Sequence, residues 1–180
     1  HQQYVNYLGP MQLIRKVLPS MRAMGRGKII NISSVSGMMA MPTMSSYSAS
    51  KFALEGASEA LWYEVKPFGI DITCVQPGFI NSVAFQKVFK PQKGQSNSYK
   101  SHYKYMAKFV EKMMTKTPTT SQKVAKKIVK VVKAKNPPLR VAGSFDAWLF
   151  YLIRRFLPRR LYHPILYRTL PGISKWGSDV

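Results

Sequence analysis

Tyr47 and Lys51 are the residues of this sequence whose types and spacing most clearly suggest chemistry. They stand four positions apart, so on a helix a phenol and an ammonium would share one face. A tyrosine exchanges protons poorly at neutral pH unless nearby positive charge favours its phenolate form, and a lysine and a helix N-terminus both supply such charge. The pair could therefore act as an acid and base, although taken alone such a pair is usually an ordinary surface feature.

Two further features lie where a parallel sheet would bring them beside that pair. Ser34 ends a β-branched run at 28–34, and Pro77 and Gly78 follow a second run at 70–75. The carboxyl edge of such a sheet is where α/β proteins bind ligands. The Ser34 hydroxyl could polarise a carbonyl there, and Gly78 would let backbone approach a planar ring. Alternatively, the serine satisfies backbone groups and the glycine makes a plain turn.

The elements that would position these residues alternate between helix and strand. Apolar residues recur at helical spacing over 4–24 and 45–67, and each of these segments is followed by one of the two β-branched runs. Short joints containing glycine separate the elements, and such alternation is typical of right-handed βαβ units. The pattern predicts an α/β fold with a doubly wound parallel sheet.

The second half of the sequence is richer in predicted helices. We expect a helix over 121–133 capped by its first residue, a short edge strand at 139–141, and an aromatic helix over 145–157. The length favours a single domain. Within it, residues 1–143 would form the catalytic part and residues 144–180 an aromatic and basic helical extension.

Four stretches resemble the short-chain dehydrogenase/reductase family in their order and spacing. They are Asn6 with its neighbours, Asn31-Ile32-Ser33-Ser34, Tyr47 with Lys51, and Pro77-Gly78-Phe79-Ile80. The resemblance is continuous from residue 4 to about residue 82. It implies a Rossmann-like fold, of which this chain would hold the C-terminal part only.

The resemblance also implies a role for each residue of this constellation. Tyr47 would act as general acid and base, Ser34 would hydrogen-bond the substrate oxygen, and Lys51 would bind the nicotinamide ribose. Asn6 would hold a water in the proton relay. The cofactor would be NAD or NADP, contacted by Tyr47, Lys51, Pro77, Gly78, Ile80 and Ser82, the last of which stands where the family usually has threonine.

The chain departs from the family in one respect. The glycine-rich dinucleotide loop, and the residue that selects between NAD and NADP, are not found in its 180 residues. We expect both to precede His1, and we expect the fragment alone to be inactive. A non-catalytic dinucleotide-fold protein used for binding or assembly is the alternative, and the presence of all four catalytic residue types disfavours it.

Other stretches point to the substrate. Residues 50–56 and 64–69 look most like the 17β-hydroxysteroid dehydrogenase, retinol dehydrogenase and ketosphinganine reductase branches, which act on lipids. Met39 and Met41 precede Tyr47 in a loop expected to line the substrate site together with Ser34. The alternative is that these methionines fill gaps in the core. The predicted substrate is a hydrophobic alcohol or ketone of lipid, steroid or retinoid type.

The charge of the chain is strongly asymmetric. Twenty-eight Lys and Arg against seven Asp and Glu give a formal charge of +21. Lysines at helical spacing over 121–133 most simply form the solvated face of an amphipathic helix, with anionic lipid headgroups as the alternative partner. Nucleic acid is disfavoured because no nucleic-acid motif or stacking platform accompanies the charge.

The aromatic helix at 145–157 and the arginines around it resemble an interfacial helix that docks on an anionic membrane. A lid over the substrate pocket or a buried dimer face fits the same pattern. The resemblance implies a homo-oligomer, since family members commonly pair through the helices that contain Asn6 and Tyr47.

Two last expectations come from residue types that are scarce in the chain. No metal is expected, because the three histidines have no ligand spacing. A single cysteine in an apolar run and the lack of a long apolar stretch favour a cytoplasmic location, with peripheral membrane contact left open.

Overall fold

The computed structural model describes residues 1–82 and 97–177, and at their centre is a three-stranded parallel sheet in the order β1-β2-β3. Its strands are β1 (Gly27–Ile32), β2 (Ile70–Gln76) and β3 (Arg140–Ala142). Strand β2 is buried along its whole length, so both of its faces are covered, as expected for an inner strand of an α/β sheet. The predicted α/β fold with a parallel sheet is confirmed, as a partial Rossmann-like sheet.

Six α-helices accompany the sheet in the described ranges. They are α1 (Gly9–Ala23), α2 (Ser45–Val65), α3 (Lys100–Lys116), α4 (Ser121–Lys133), α5 (Phe145–Phe156) and α6 (Arg159–Thr169). A π-helical turn, Tyr4–Leu8, precedes α1, and one-turn 3-10 helices lie at Val35–Gly37, Lys66–Phe68, Asn97–Tyr99 and Ile173–Lys175.

The apolar core joins helices α1 and α2 to the sheet. Ile14 of α1 and Val65 of α2 are buried against strand residues Ile29, Ile70 and Ile72. On α4 the amphipathic prediction is confirmed, since its valines at 124 and 131 are buried while most of its lysines are exposed. Helix α2 is thereby fixed against the sheet near its C-terminal end, while its first two turns carry Tyr47 and Lys51.

The sequence-based boundaries needed three corrections. Strand β1 ends at Ile32 instead of Ser34, because Ser34 turns the chain into the 3-10 helix Val35–Gly37 and caps it. The α4 helix is capped by Thr120 instead of Ser121, because Thr120 has extended backbone and its hydroxyl accepts from the Lys123 amide at 3.3 Å. The first helix opens with a π-helical turn. Helices α3 and α6 had not been predicted individually.

The described residues lack two features, a membrane-spanning helix and a metal site. None of the helices there has the combination of length and apolar character that crossing a membrane requires. In ranges 1–82 and 97–177, no cluster of three or more His, Cys, Asp and Glu side chains could hold a metal ion.

Candidate active site

The segments that follow β1 and β2 lie side by side at the carboxyl edge of the sheet. The Ser33 amide donates to the Val75 carbonyl at 2.8 Å, and the Val35 amide donates to the Pro77 carbonyl, also at 2.8 Å. Ser34 therefore sits between two bonds that join its turn to the segment after β2. This is the ligand-binding edge of an open α/β sheet.

Lys51 lies in α2 beside this edge and is almost completely buried, with 8% of its surface exposed. Its Nζ donates to the Ile32 carbonyl at 2.8 Å and lies 5.8 Å from the centroid of the Tyr47 ring. Burial lowers the pKa of Lys51, and the carboxylate of Glu55 opposes that shift. The structure thus holds an ammonium beside the half-buried phenol ring, on the helix face that the spacing predicted.

Glu55, one helical turn after Lys51, is the centre of a buried polar network that the sequence did not single out. Its carboxylate accepts from the Gln76 side chain at 3.1 Å and from Arg140 Nε at 2.9 Å. Arg140 also donates to Glu59 at 2.6 Å. These bonds tie α2 to the end of β2 and to the start of β3. The Lys51-to-Glu55 spacing of four residues was the available signal, but a carboxylate at that spacing is common on helices.

Ser34 is buried and its hydroxyl is already used as a cap. Its Oγ accepts from the Ser36 amide at 3.1 Å. Because this bond occupies a lone pair, the hydroxyl hydrogen stays available as a donor toward a ligand oxygen. The geometry is compatible with both interpretations of Ser34, as a backbone cap and as a donor to substrate.

Asn6 lies in the π-helical turn and contacts the start of α2. Its Nδ2 donates to Gln2 Oε1 at 2.6 Å and to Ser50 Oγ at 3.1 Å, and the Ser50 hydroxyl in turn donates to the Tyr47 carbonyl at 2.7 Å. This chain of bonds links Asn6 to the backbone of Tyr47. The side-chain amide of Asn6 is therefore engaged with protein atoms, and π-helical turns of this kind are frequent at functional sites.

The segment after β2 is held by residues far away in the sequence. The Gly78 amide donates to Ser144 Oγ at 2.9 Å, and the Phe79 amide donates to Asp146 Oδ2 at 2.8 Å. Pro77 is buried, whereas Gly78, Ile80 and Ser82 are half-buried and reachable by a ligand. Sequence reasoning missed Ser144 and Asp146, because nothing local connects them to Gly78.

The two methionines predicted to line the substrate site are placed differently. Met39 is only 5% exposed and belongs to the buried hydrophobic residues, which agrees with the gap-filling alternative. Met41 is half-buried. Met39 could touch a substrate only if its neighbours moved, so Met41 is the better placed of the two.

Comparison with known proteins decides the family. A family model described as "short chain dehydrogenase" matches residues 3–93, half of the chain and every one of the candidate site residues. The chain belongs to the short-chain dehydrogenase family. A 3-ketodihydrosphingosine reductase from Bacteroides thetaiotaomicron is 40% identical over 159 residues, which cover 87% of this chain and 59% of that protein.

Solved structures agree with this assignment. A short-chain dehydrogenase from Streptomyces avermitilis is 30% identical, with a TM-score of 0.71 over 93% of this chain and 61% of the other. A short-chain dehydrogenase from Burkholderia cenocepacia, solved in complex with NADP, shares the fold at 21% identity, with a TM-score of 0.67 over 91% of this chain and 57% of that one. The chain thus spans about three-fifths of the length of these relatives.

Proposed function

We propose that this short-chain dehydrogenase transfers hydride between a nicotinamide cofactor, NAD or NADP, and the alcohol or ketone of a hydrophobic substrate. The observation that carries the proposal is the buried Lys51 ammonium, fixed by the Ile32 carbonyl and 5.8 Å from the Tyr47 ring. A buried cation without a carboxylate in hydrogen-bond contact is costly for a purely structural role.

The chain's own residues would then divide the proton chemistry between them. Tyr47 would give its proton to the substrate oxygen in reduction and recover it in oxidation, while Ser34 donates a hydrogen bond to that oxygen. Lys51 would stabilise the phenolate and contact the ribose. Asn6, bonded through Ser50 to the backbone of Tyr47, would anchor the relay that returns the proton from solvent.

The residues present fit the nicotinamide end of such a cofactor. When bound, the cofactor supplies or accepts the hydride. Pro77, Gly78, Ile80 and Ser82 would line its ring and carboxamide, because they follow β2 at the carboxyl edge of the sheet and Gly78, Ile80 and Ser82 are partly exposed there. NAD and NADP are both candidates, since the residue that selects between them is not found in these 180 residues.

A lipid-like substrate is favoured by two observations. The match to the 3-ketodihydrosphingosine reductase extends over 87% of the chain, so it includes much of the helical part beyond residue 97 as well as the site. Met41 adds an adaptable apolar side chain before α2. A long-chain ketone or its alcohol is therefore the substrate class to test first.

Two tyrosines of α2, substituted one at a time, provide the test. In the complete gene product, Tyr47→Phe should reduce NAD(P)H-dependent reduction of 3-ketosphinganine by at least about a thousandfold, because the acid is lost. Tyr63→Phe, at an exposed position of the same helix, should retain wild-type turnover. Equal activity of both variants would refute the role of Tyr47, and a wild-type protein inactive on all lipid ketones and alcohols would favour the non-catalytic alternative.

Peripheral contact with an anionic membrane is a second candidate function, and the exposed face of α5 favours it. Phe145, Trp148, Leu149 and Phe156 are exposed and recur at helical spacing along this helix. Arg154 and Arg155 lie in the last turn of the same helix. Aromatic bulk flanked by cations suits the headgroup region of an anionic bilayer.

Two further proposals concern the oligomeric state of the protein and the limits of its domain. We infer a homo-oligomer that pairs through α1 and α2, because α1 leaves Leu13 and Val17 exposed. Residues 1–143 would form the catalytic part of one domain, and residues 144–180 its helical extension. Sedimentation equilibrium of the complete gene product would reveal a dimer or tetramer, and a monomer at micromolar concentration would contradict the pairing.

A further inference from the structure

The start of α5 is fitted against the loop that follows β2. Ser144 caps α5 and also accepts the Gly78 amide at 2.9 Å, while Asp146, in the first turn of that helix, accepts the Phe79 amide at 2.8 Å. The loop is thus fixed by side chains that lie 66 and 67 residues further along the chain.

Glycines on both sides make this approach possible. A Cβ on Gly78 would collide with the Asp146 carboxylate, and a Cβ on Gly143 would lie 2.7 Å from Pro77 Cα, closer than real Cβ contacts. The Thr117 hydroxyl also donates to the Phe79 carbonyl at 3.2 Å. The backbone of Gly78 and Phe79 is therefore bonded to three side chains from distant parts of the sequence.

The Phe79 amide donates to a charged group, the Asp146 carboxylate. Asp146 is the only acid between residues 112 and 178, in the most basic part of the chain. A carboxylate bonded to a backbone amide forms a charge-assisted hydrogen bond, which is stronger than a neutral one. Its position in the first turn of α5 is also favourable for negative charge.

We propose that Asp146, with Ser144, is a positioning residue for the nicotinamide end of the cofactor. It would act through the Gly78–Phe79 backbone and touch neither cofactor nor substrate. This inference rests on the proposed function, because the loop has a ligand to position only if NAD(P) binds there. It also means that α5 would transmit a displacement of its exposed face to the cofactor loop.

The test compares two ligands of the complete gene product that differ in the nicotinamide ring. Asp146→Ala should weaken binding of NAD(P)H about tenfold, since one charge-assisted bond to the loop is lost, and should leave binding of ADP-ribose or its 2′-phosphate within about a factor of two. Asp146→Asn keeps an oxygen acceptor and should restore most of the NAD(P)H affinity. Isothermal titration calorimetry measures both dissociation constants.

Asp71→Ala is the matched control. It removes a carboxylate that bonds Lys66 at 2.8 Å at the far end of β2, so it should lower stability without changing the ratio of the two affinities. A second variant tests the contact itself. Gly78→Ala should weaken NAD(P)H binding in the wild type but add little in the Asp146→Ala background, where the colliding carboxylate is gone.

The failures of the two proposals are distinguishable. If the wild type binds both ligands but Asp146→Ala weakens them equally, or Gly78→Ala is fully additive, Asp146 is merely structural and this inference is wrong. If the wild type binds neither NAD(P)H nor ADP-ribose, the proposed function fails and this inference falls with it.

Discussion

Helix α2 with the strands beside it differs from helix α5 in the kinds of side chain that are buried and exposed. Around β1, α2 and β2, polar and charged side chains are buried and hydrogen-bonded, among them Asn31, Lys51 and Glu55. In the helical half beyond residue 97, large apolar side chains are exposed, such as Phe145 at 71% and Phe156 at 75%. Buried polar groups and exposed apolar patches are the two departures from ordinary packing that carry functional information.

The comparison separates two kinds of role. Burying a charge costs free energy and is typical of functional sites. The first half therefore has the features of a reaction site. Exposing aromatic rings is tolerated where another surface covers them, so the second half has the features of a docking surface. Arg140 and Asp146 are two of the points at which residues beyond 97 contact the site half.

The largest effect on stability is expected where the halves meet in a buried ion pair. Glu55→Ala should lower the free energy of unfolding by roughly 2 to 3 kcal/mol, because Gln76 and Arg140 both lose their acceptor. Arg140 is partly exposed, which keeps the loss at the low end for buried pairs. Urea denaturation measures the change.

Glu59→Ala provides the contrast for that prediction. Glu59 also bonds Arg140, but 44% of its side chain is exposed, so the loss should stay within about 1 kcal/mol. If Glu55→Ala and Glu59→Ala lowered the free energy of unfolding by similar amounts, burial of Glu55 would not make its bond to Arg140 more stabilising than the exposed bond from Glu59.

A smaller effect concerns the protonation of Lys51. Glu55→Gln removes the carboxylate that favours the ammonium, so the pKa of Lys51, already lowered by burial, should fall further. An unfolded chain then binds this proton more tightly than the folded one, and the free energy of unfolding should rise with pH between the folded and the ordinary lysine pKa. In the variant that rise should begin at lower pH.

An NMR titration of 13C-labelled lysine side chains measures the Lys51 pKa directly. If the Lys51 pKa is the same in the wild type and in Glu55→Gln, Glu55 has no electrostatic influence on Lys51.

The smallest effect on stability is expected at the exposed aromatic face. Trp148→Ser with Phe156→Ser should change the free energy of unfolding by no more than about 1 kcal/mol, because both side chains are exposed. Binding to vesicles that contain phosphatidylglycerol should nevertheless fall about tenfold or more in a cosedimentation assay. Tyr63→Ser, on α2, is the exposed aromatic control.

Two outcomes would contradict the docking surface. One is unchanged vesicle binding by the double variant. The other is equal binding of the wild type to vesicles of neutral phosphatidylcholine alone, because the arginines of α5 should favour an anionic surface.

The sequence predicted the features that depend on local patterns and missed those that depend on contacts between distant residues. Strands β1 and β2 and helix α2 were predicted within about two residues, since apolar periodicity and glycine joints are local signals. The cap at Ser34 and the π-helical turn around Asn6 were missed, because both depend on how neighbouring segments pack. Asp146 and Glu55 were missed for a related reason, as their partners lie 67 and 21 residues away.

We propose that Tyr47, beside a buried ammonium, protonates a lipid oxygen while hydride reaches the adjacent carbon. We would supply the complete gene product with 3-ketosphinganine and NAD(P)H that carries deuterium at both hydrogen positions of the nicotinamide C4, and analyse the product by mass spectrometry. We expect an alcohol carrying one deuterium on the carbinol carbon, formed by the wild type and not by Tyr47→Phe. An unlabelled alcohol, or a labelled one formed equally fast by Tyr47→Phe, would contradict it.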